Sequence, residues 1–151
     1  MYSKQEAVIL KQQFWTGFGQ YLAPVPAATG SRINWINYKT GVKHIHFKMD
    51  VTNQAYIAIE ISHNDLELRE IFFNHFDTLK SELELALEEK WTWEKTAFIN
   101  GKQVSRIYIT LNDMSIFRQA DWPGIISFLK PRIIALDSFW TANRDIFEML
   151  T

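Results

Sequence analysis

Within "VKHIHFKMDV" (residues 42–51), hydrophobic and polar residues alternate from His44 to Val51. Ile45, Phe47, Met49 and Val51 fall on one side, and His44, His46, Lys48 and Asp50 on the other. This is the two-residue period of a strand with one buried face. "AYIAIEIS" (55–62) repeats the pattern, with Ile57, Ile59 and Ile61 set against Tyr56, Ala58, Glu60 and Ser62. Two such runs separated by "TNQ" predict a β-hairpin. Their apolar faces coincide only if paired residues match in parity. A three-residue loop at Thr52–Gln54 meets that condition and sets Glu60 opposite His46. A five-residue loop sets it opposite Lys48, and a two-residue turn at Asn53-Gln54 breaks the match. In either permitted register Glu60 gains a basic cross-strand neighbour, a pair that contributes up to about 1 kcal/mol.

A helical period governs much of the remainder. Leu10, Phe14, Phe18 and Tyr21, flanked by Ala7 and Trp15, predict a first helix. Ser3 and Glu6 open it as a capping box, and "APVPAATG" (23–30) stops it. Residues 22–41 form a long connection. Its second part, "RINWINYKTG" (32–41), is rich enough in β-formers for a short strand before a turn at Thr40-Gly41. "HNDLELREIFFNHFDTLKSELELALEE" (63–89) predicts one long helix, capped by Asn64 or Asp65, with Leu68, Phe72, Phe76, Leu79, Leu83 and Leu87 as its apolar stripe. The final run, 121–150, predicts a helix capped by Asp121 with Pro123 in its first turn. Pro131 should kink it or start a second helix after Leu129.

"KWTWEKTAF" (90–98) and "KQVSRIYITL" (102–111) flank Asn100-Gly101, a type I′ turn signal. The element order is therefore α-ββ-α-ββ-α: a single α+β domain over residues 1–151, with an antiparallel sheet of about four or five strands packed by helices. An unbroken two-residue turn pairs Trp93 with Tyr108, Trp91 with Thr110 and Lys95 with Arg106, and leaves Ile107 and Ile109 on the other face with Glu94 and Phe98. With those isoleucines in the core, Trp91, Trp93, Arg106 and Tyr108 join the polar face of the first hairpin. So large an aromatic patch marks an interaction surface, unless a helix or the 22–41 loop covers it or a bulge near Gln103 changes the register.

Composition narrows the function classes. With 47% hydrophobic residues the chain is globular rather than disordered. The absence of cysteine removes disulfides, thiolate metal sites and cysteine nucleophiles together. No apolar run is long enough for a membrane span, and "MYSKQEAVILKQQ" lacks signal-peptide order, so a cytoplasmic protein is expected. The formal charge of −1 gives no global basic footprint for nucleic acid. Its distribution is uneven: residues 60–94 carry ten acids and three bases, mostly a solvated helix face.

Three chemistries have candidate residues. His44 and His46, two apart on a strand with Glu60 across from them, offer an open zinc or iron set, although residue 48 is lysine where a further ligand is wanted. Asp50 followed by Glu60 on a strand gives two elements of a metal-dependent nuclease or hydrolase core, but Ser62 stands where its lysine belongs. Arg32, Lys39, Lys43 and Lys48 interleave with Trp35, Tyr38 and Phe47, the mixture that base stacking and phosphate contact require. "KTG" (39–41) has no preceding Ser-x-x-Lys, and "GFGQ" (17–20) lacks the third glycine of a dinucleotide fingerprint. His63 and His75 sit at a helix start and within a helix, positions of capping or surface residues.

"FWTGFGQYLAPVP" (14–26), "INWINYKTGVKHIHFKMD" (33–50), "IEISHND" (59–65), "SRIY" (105–108) and "DWPGIISFLKPRIIALDSFW" (121–140) resemble an uncharacterised bacterial family, domain of unknown function 4268. The resemblance spans nearly the whole chain. It implies no established activity. It does imply a domain that is at times joined to nuclease-like domains, hence an accessory part in DNA transactions or defence, although this chain leaves no room for an attached nuclease. Together these observations predict a binding module without cofactor, acting as a homodimer or on a protein partner, with nucleic acid as a further partner class. Its surface is His44, His46, Lys48, Glu60, Trp91, Trp93, Arg106 and Tyr108. The enzyme alternative uses Asp50 and Glu60.

Overall fold

The computed structural model describes residues 3–150. Its elements are α1 (Lys4–Leu22), β1 (Ile45–Val51), β2 (Ala55–Ile61), α2 (Leu66–Thr78), α3 (Lys80–Leu87), β3 (Thr92–Ile99), β4 (Lys102–Leu111) and α4 (Trp122–Met149), with a 3-10 turn at Gln119–Asp121. The strands form one antiparallel sheet in the order β1-β2-β4-β3. The fold is α+β, in the order that the patterning predicts except that the long helix is two. None of the described helices is long and apolar enough to cross a membrane.

The helices lie on one face of the sheet. Ile45, Phe47, Ile57, Ile59, Ile61 and Ile107 are buried there with Phe14 and Phe18 of α1, Phe72 and Phe76 of α2, Leu83 and Leu87 of α3, and the Ile125–Phe147 stripe of α4. Trp140 joins the layers. Its ring meets Phe47 edge-on at 5.6 Å and Phe147 at 5.0 Å, and its indole N–H donates to the Thr40 carbonyl at 2.7 Å. Tyr21 is instead more than half exposed beneath Lys130, and Leu22 takes the core position. The Ser3–Glu6 capping box opens α1.

Several expectations need correction. The 63–89 helix breaks at Leu79. The Thr78 hydroxyl donates to the His75 carbonyl, and the Leu79 amide takes the three-residue step to Phe76, so the four-residue ladder is lost there. No strand forms in 32–41. Asn34 Oδ1 accepts from the amides of Ile36 and Asn37, a side-chain turn that overrides the β-forming composition. α4 continues through Pro131 as one helix. Of the two cap candidates for α2, Asp65 takes the position, as one of the expected alternatives. Asp121 precedes α4 as expected, but its carboxylate binds the Ser115 amide and Arg118 rather than capping the helix.

The first hairpin has the three-residue loop: Val51 pairs with Ala55, and Glu60 faces His46. The second begins as predicted, with positive φ at both Asn100 and Gly101 and Ile99 paired with Lys102. The register then slips. Ala97 faces Val104, but Glu94 faces Arg106, Trp93 faces Ile107 and Thr92 faces Tyr108. Lys95 and Thr96 together oppose Ser105, a β-bulge in β3 rather than near Gln103. Ser105 Oγ donates to the Lys95 carbonyl at 2.5 Å, and Lys95 Nζ reaches Glu70 of α2 at 3.6 Å.

Candidate functional site

The second sheet face carries no helix. Among the described residues, the side-chain hydrogen bonds, ion pairs and ring contacts of this face stay within the sheet. Strand register arranges the face in rows. His46, Glu60, Arg106 and Glu94 form one; Lys48, Ala58, Tyr108 and Thr92 the next; Asp50, Tyr56 and Thr110 a third. Glu60 is only 5% exposed and Ala58 1%. Their larger neighbours Lys48, Tyr56, Arg106 and Tyr108 close over them.

Charge is paired across the rows. Glu60 accepts from Lys48 Nζ at 2.8 Å, diagonal to its His46 register partner. Arg106 donates through Nε and Nη2 to Glu94 Oε1 at 3.0 and 2.8 Å, and its guanidinium stacks over Tyr108 at 4.0 Å. The pKa directions follow from these contacts. Burial and then Lys48 push the His46 imidazole down, so it is neutral near pH 7. Burial raises Tyr56, with Asp50 and Glu60 adding to it, and burial followed by Glu94 raises Tyr108. Both phenols keep their protons and can donate.

Three residues predicted for this face lie elsewhere. His44 is outside β1, in the left-handed region at φ 72°, which turns its ring away from His46 and against His63 at 4.3 Å. Trp91 is buried in the core and donates to Glu89. Trp93 packs on the helix side, edge-on to Phe73 at 5.7 Å with Lys80 over its ring. The bulge is the physical reason for both tryptophans: one extra residue in β3 rotates everything before it to the opposite face.

The metal-site reading also fails on geometry. Asp50 faces Tyr56 and Glu60 faces His46, four residues apart along the ladder, about 14 Å of rise. Glu60 is held by Lys48. The described residues contain no group of three or more histidine or carboxylate side chains placed to hold a metal ion. The aromatic residues read as part of a nucleic-acid mixture do gather, but in the core: Trp35 and Phe47 are buried, and Tyr38 stacks on Phe47 at 5.0 Å, so they offer no open face to a base.

Two clefts on the helix side escaped the pattern. One, of about 270 Å³, lies between the 27–39 loop and α4 and is lined by Asn34, Asn37, Lys39, Thr141 and Arg144. Buried Asp137 forms its floor, accepting from Tyr38 Oη at 2.5 Å and from the Ala28 amide at 2.7 Å. An acid in the apolar phase of "RIIALDSFW" is the sequence signal for it. The other, of about 220 Å³, is lined by Lys43, His44, His63, Leu68 and Phe72. The i,i+2 histidine spacing points to His46 as the partner of His44 and hides the pair that forms.

A family model described as a domain of unknown function (DUF4268) matches residues 10–144. No curated protein and no solved structure matches the chain.

Proposed function

The chain belongs to the DUF4268 family, and on that premise we propose that it is a binding module whose working surface is the helix-free sheet face and whose occupant is a second copy of the chain. The observation that carries this is an organised array that no described helix covers: Arg106 stacked on Tyr108, Tyr56 beside them, and two ion pairs that fix the charged groups in place. Arginine and tyrosine supply the rigid, amphipathic contact that interfaces favour.

The face carries three cations, Lys48, Lys102 and Arg106, against three carboxylates, Asp50, Glu60 and Glu94. Phosphate backbones select a surplus of cations, which this face lacks, so a protein surface is favoured over nucleic acid. Interspersed charges of both signs are self-complementary under a two-fold axis. Four strands of about seven residues make a face of about 19 by 24 Å. That is small for a stable dimer, so affinity belongs in the micromolar range.

Sedimentation velocity between about 1 and 100 µM tests this range directly. The wild type should shift from monomer to dimer, and Arg106→Glu and Tyr108→Ser should remain monomeric with unchanged circular dichroism. A wild type that is monomeric throughout overturns self-association.

A further inference from the structure

Arg69 is 2% exposed, yet among the described residues it has no carboxylate partner. Its Nη1 donates to the His63 carbonyl at 3.0 Å and Nη2 to Gln103 Oε1 at 3.2 Å, both neutral acceptors, and its Nε has no hydrogen-bond partner. A buried guanidinium without an anion is costly. It adjoins the 220 Å³ pocket formed by Lys43, His44, His63, Leu68 and Phe72, since His63 both lines the pocket and supplies a carbonyl that Arg69 binds.

His44 is held at φ 72°, a conformation few non-glycine residues adopt. Strain of that kind is retained where surroundings require it, and here it brings the two imidazoles to 4.3 Å. His63 Nδ1 accepts from the Asp65 amide at 2.9 Å, which leaves Nε2 as the free nitrogen. The Asp65 carboxylate is engaged with the first amides of α2. The charged groups around the pocket are thus Lys43 and Arg69, with two titratable imidazoles and no free carboxylate in the lining. Two fixed positive charges repel a metal ion and attract an anion.

We propose that this pocket binds a phosphate monoester, its phosphoryl group held by Lys43, His44 and His63 in the field of Arg69 and its organic part lying over Leu68 and Phe72. Binding takes up protons. Burial, then His63, Lys43 and His46, pushes the free His44 imidazole down; a dianion at the pocket offsets that repulsion and favours imidazolium. The other groups around His44 and His63 are the Lys43 and Arg69 cations, His46, whose imidazole burial and Lys48 push down, and Asp65, whose carboxylate is committed to the helix cap.

The test is a titration of the intact protein with inorganic phosphate and with phenyl phosphate, following the His44 and His63 ring protons by NMR. Chloride at matched ionic strength is the control. Both histidines should respond to phosphate, with their apparent pKa values rising, and phenyl phosphate should bind more tightly. Lys43→Glu, at an exposed position, and His44→Asn, which tolerates the positive φ, should each weaken binding by about tenfold or more. Equal responses to chloride, or wild-type affinity in Lys43→Glu, overturn the site. Equal affinity for the two phosphates overturns the monoester assignment.

Discussion

The Tyr38 hydroxyl and the Asp137 carboxylate fasten a 22-residue connection, residues 23–44, to α4. Tyr38→Phe removes one oxygen and keeps the ring stacked on Phe47. It leaves Asp137 Oδ1 buried without its donor, while Oδ2 retains the Ala28 amide. A hydrogen bond to a charged group contributes about 1.5–3 kcal/mol, so about 2 kcal/mol of stability should be lost. For a chain of this length that lowers Tm by about 5 °C. The pH dependence is specific. Burial and Asp137 push the Tyr38 phenol well above its ordinary value of 10.0. A raised folded pKa gives stability that is fully present below pH 10 and fades as pH climbs toward the folded value. The gap between wild type and Tyr38→Phe, measured by urea unfolding, should therefore be constant from pH 7 to about 9.5 and narrow above that. A loss no greater than that of the exposed control Tyr21→Phe, or a gap that widens in alkali, would refute the clasp.

Other consequences follow from the sheet. Lys48→Met strands the Glu60 carboxylate, which is 6% exposed in its side chain, and should cost about 1–2 kcal/mol in urea unfolding; adding Glu60→Leu should recover most of it. If the double variant is no better than the single one, the pair is not what holds Glu60. Deleting Thr96 removes the bulge, drives Trp93 to the open face and Glu94 toward the core, and should cost more than about 3 kcal/mol. Cooperative unfolding within about 1 kcal/mol of wild type would refute the register.

Much of this was legible because period and parity are local properties. The hairpin at 45–61 follows from matching Ile45, Phe47 and Met49 to Ile61, Ile59 and Ile57, a parity that allows Glu60 opposite His46 or Lys48, and the three-residue loop selects His46. What parity could not show is side-chain reach: Glu60 binds Lys48 diagonally, because a lysine extends past its own row. The Asp137 cleft and the His44–His63 pocket were hidden for another reason. Tyr38 and Asp137 are 99 residues apart, and no local period relates them. His44 has the parity of the polar strand face, but its backbone leaves the strand at a positive φ that nothing in "VKHIH" announces.

The bulge connects these points to function. Without it, β3 would carry Trp91 and Trp93 onto the helix-free face, a broad apolar patch suited to a tight, permanent partner. The extra residue instead buries Trp91, packs Trp93 against Phe73, and sets Glu94 beside Arg106. It also disrupts the outer ladder of β3 next to Lys95, while β1, the opposite edge, carries the exposed side chains of His46, Lys48 and Asp50. Bulges and charged side chains at sheet edges oppose strand addition. In the proposed self-association, contact is thereby directed away from the sheet edges and onto the face, through paired charges and two tyrosines. Such an interface should be reversible, and its affinity should fall with ionic strength as the Lys48, Glu60, Arg106 and Glu94 charges are screened.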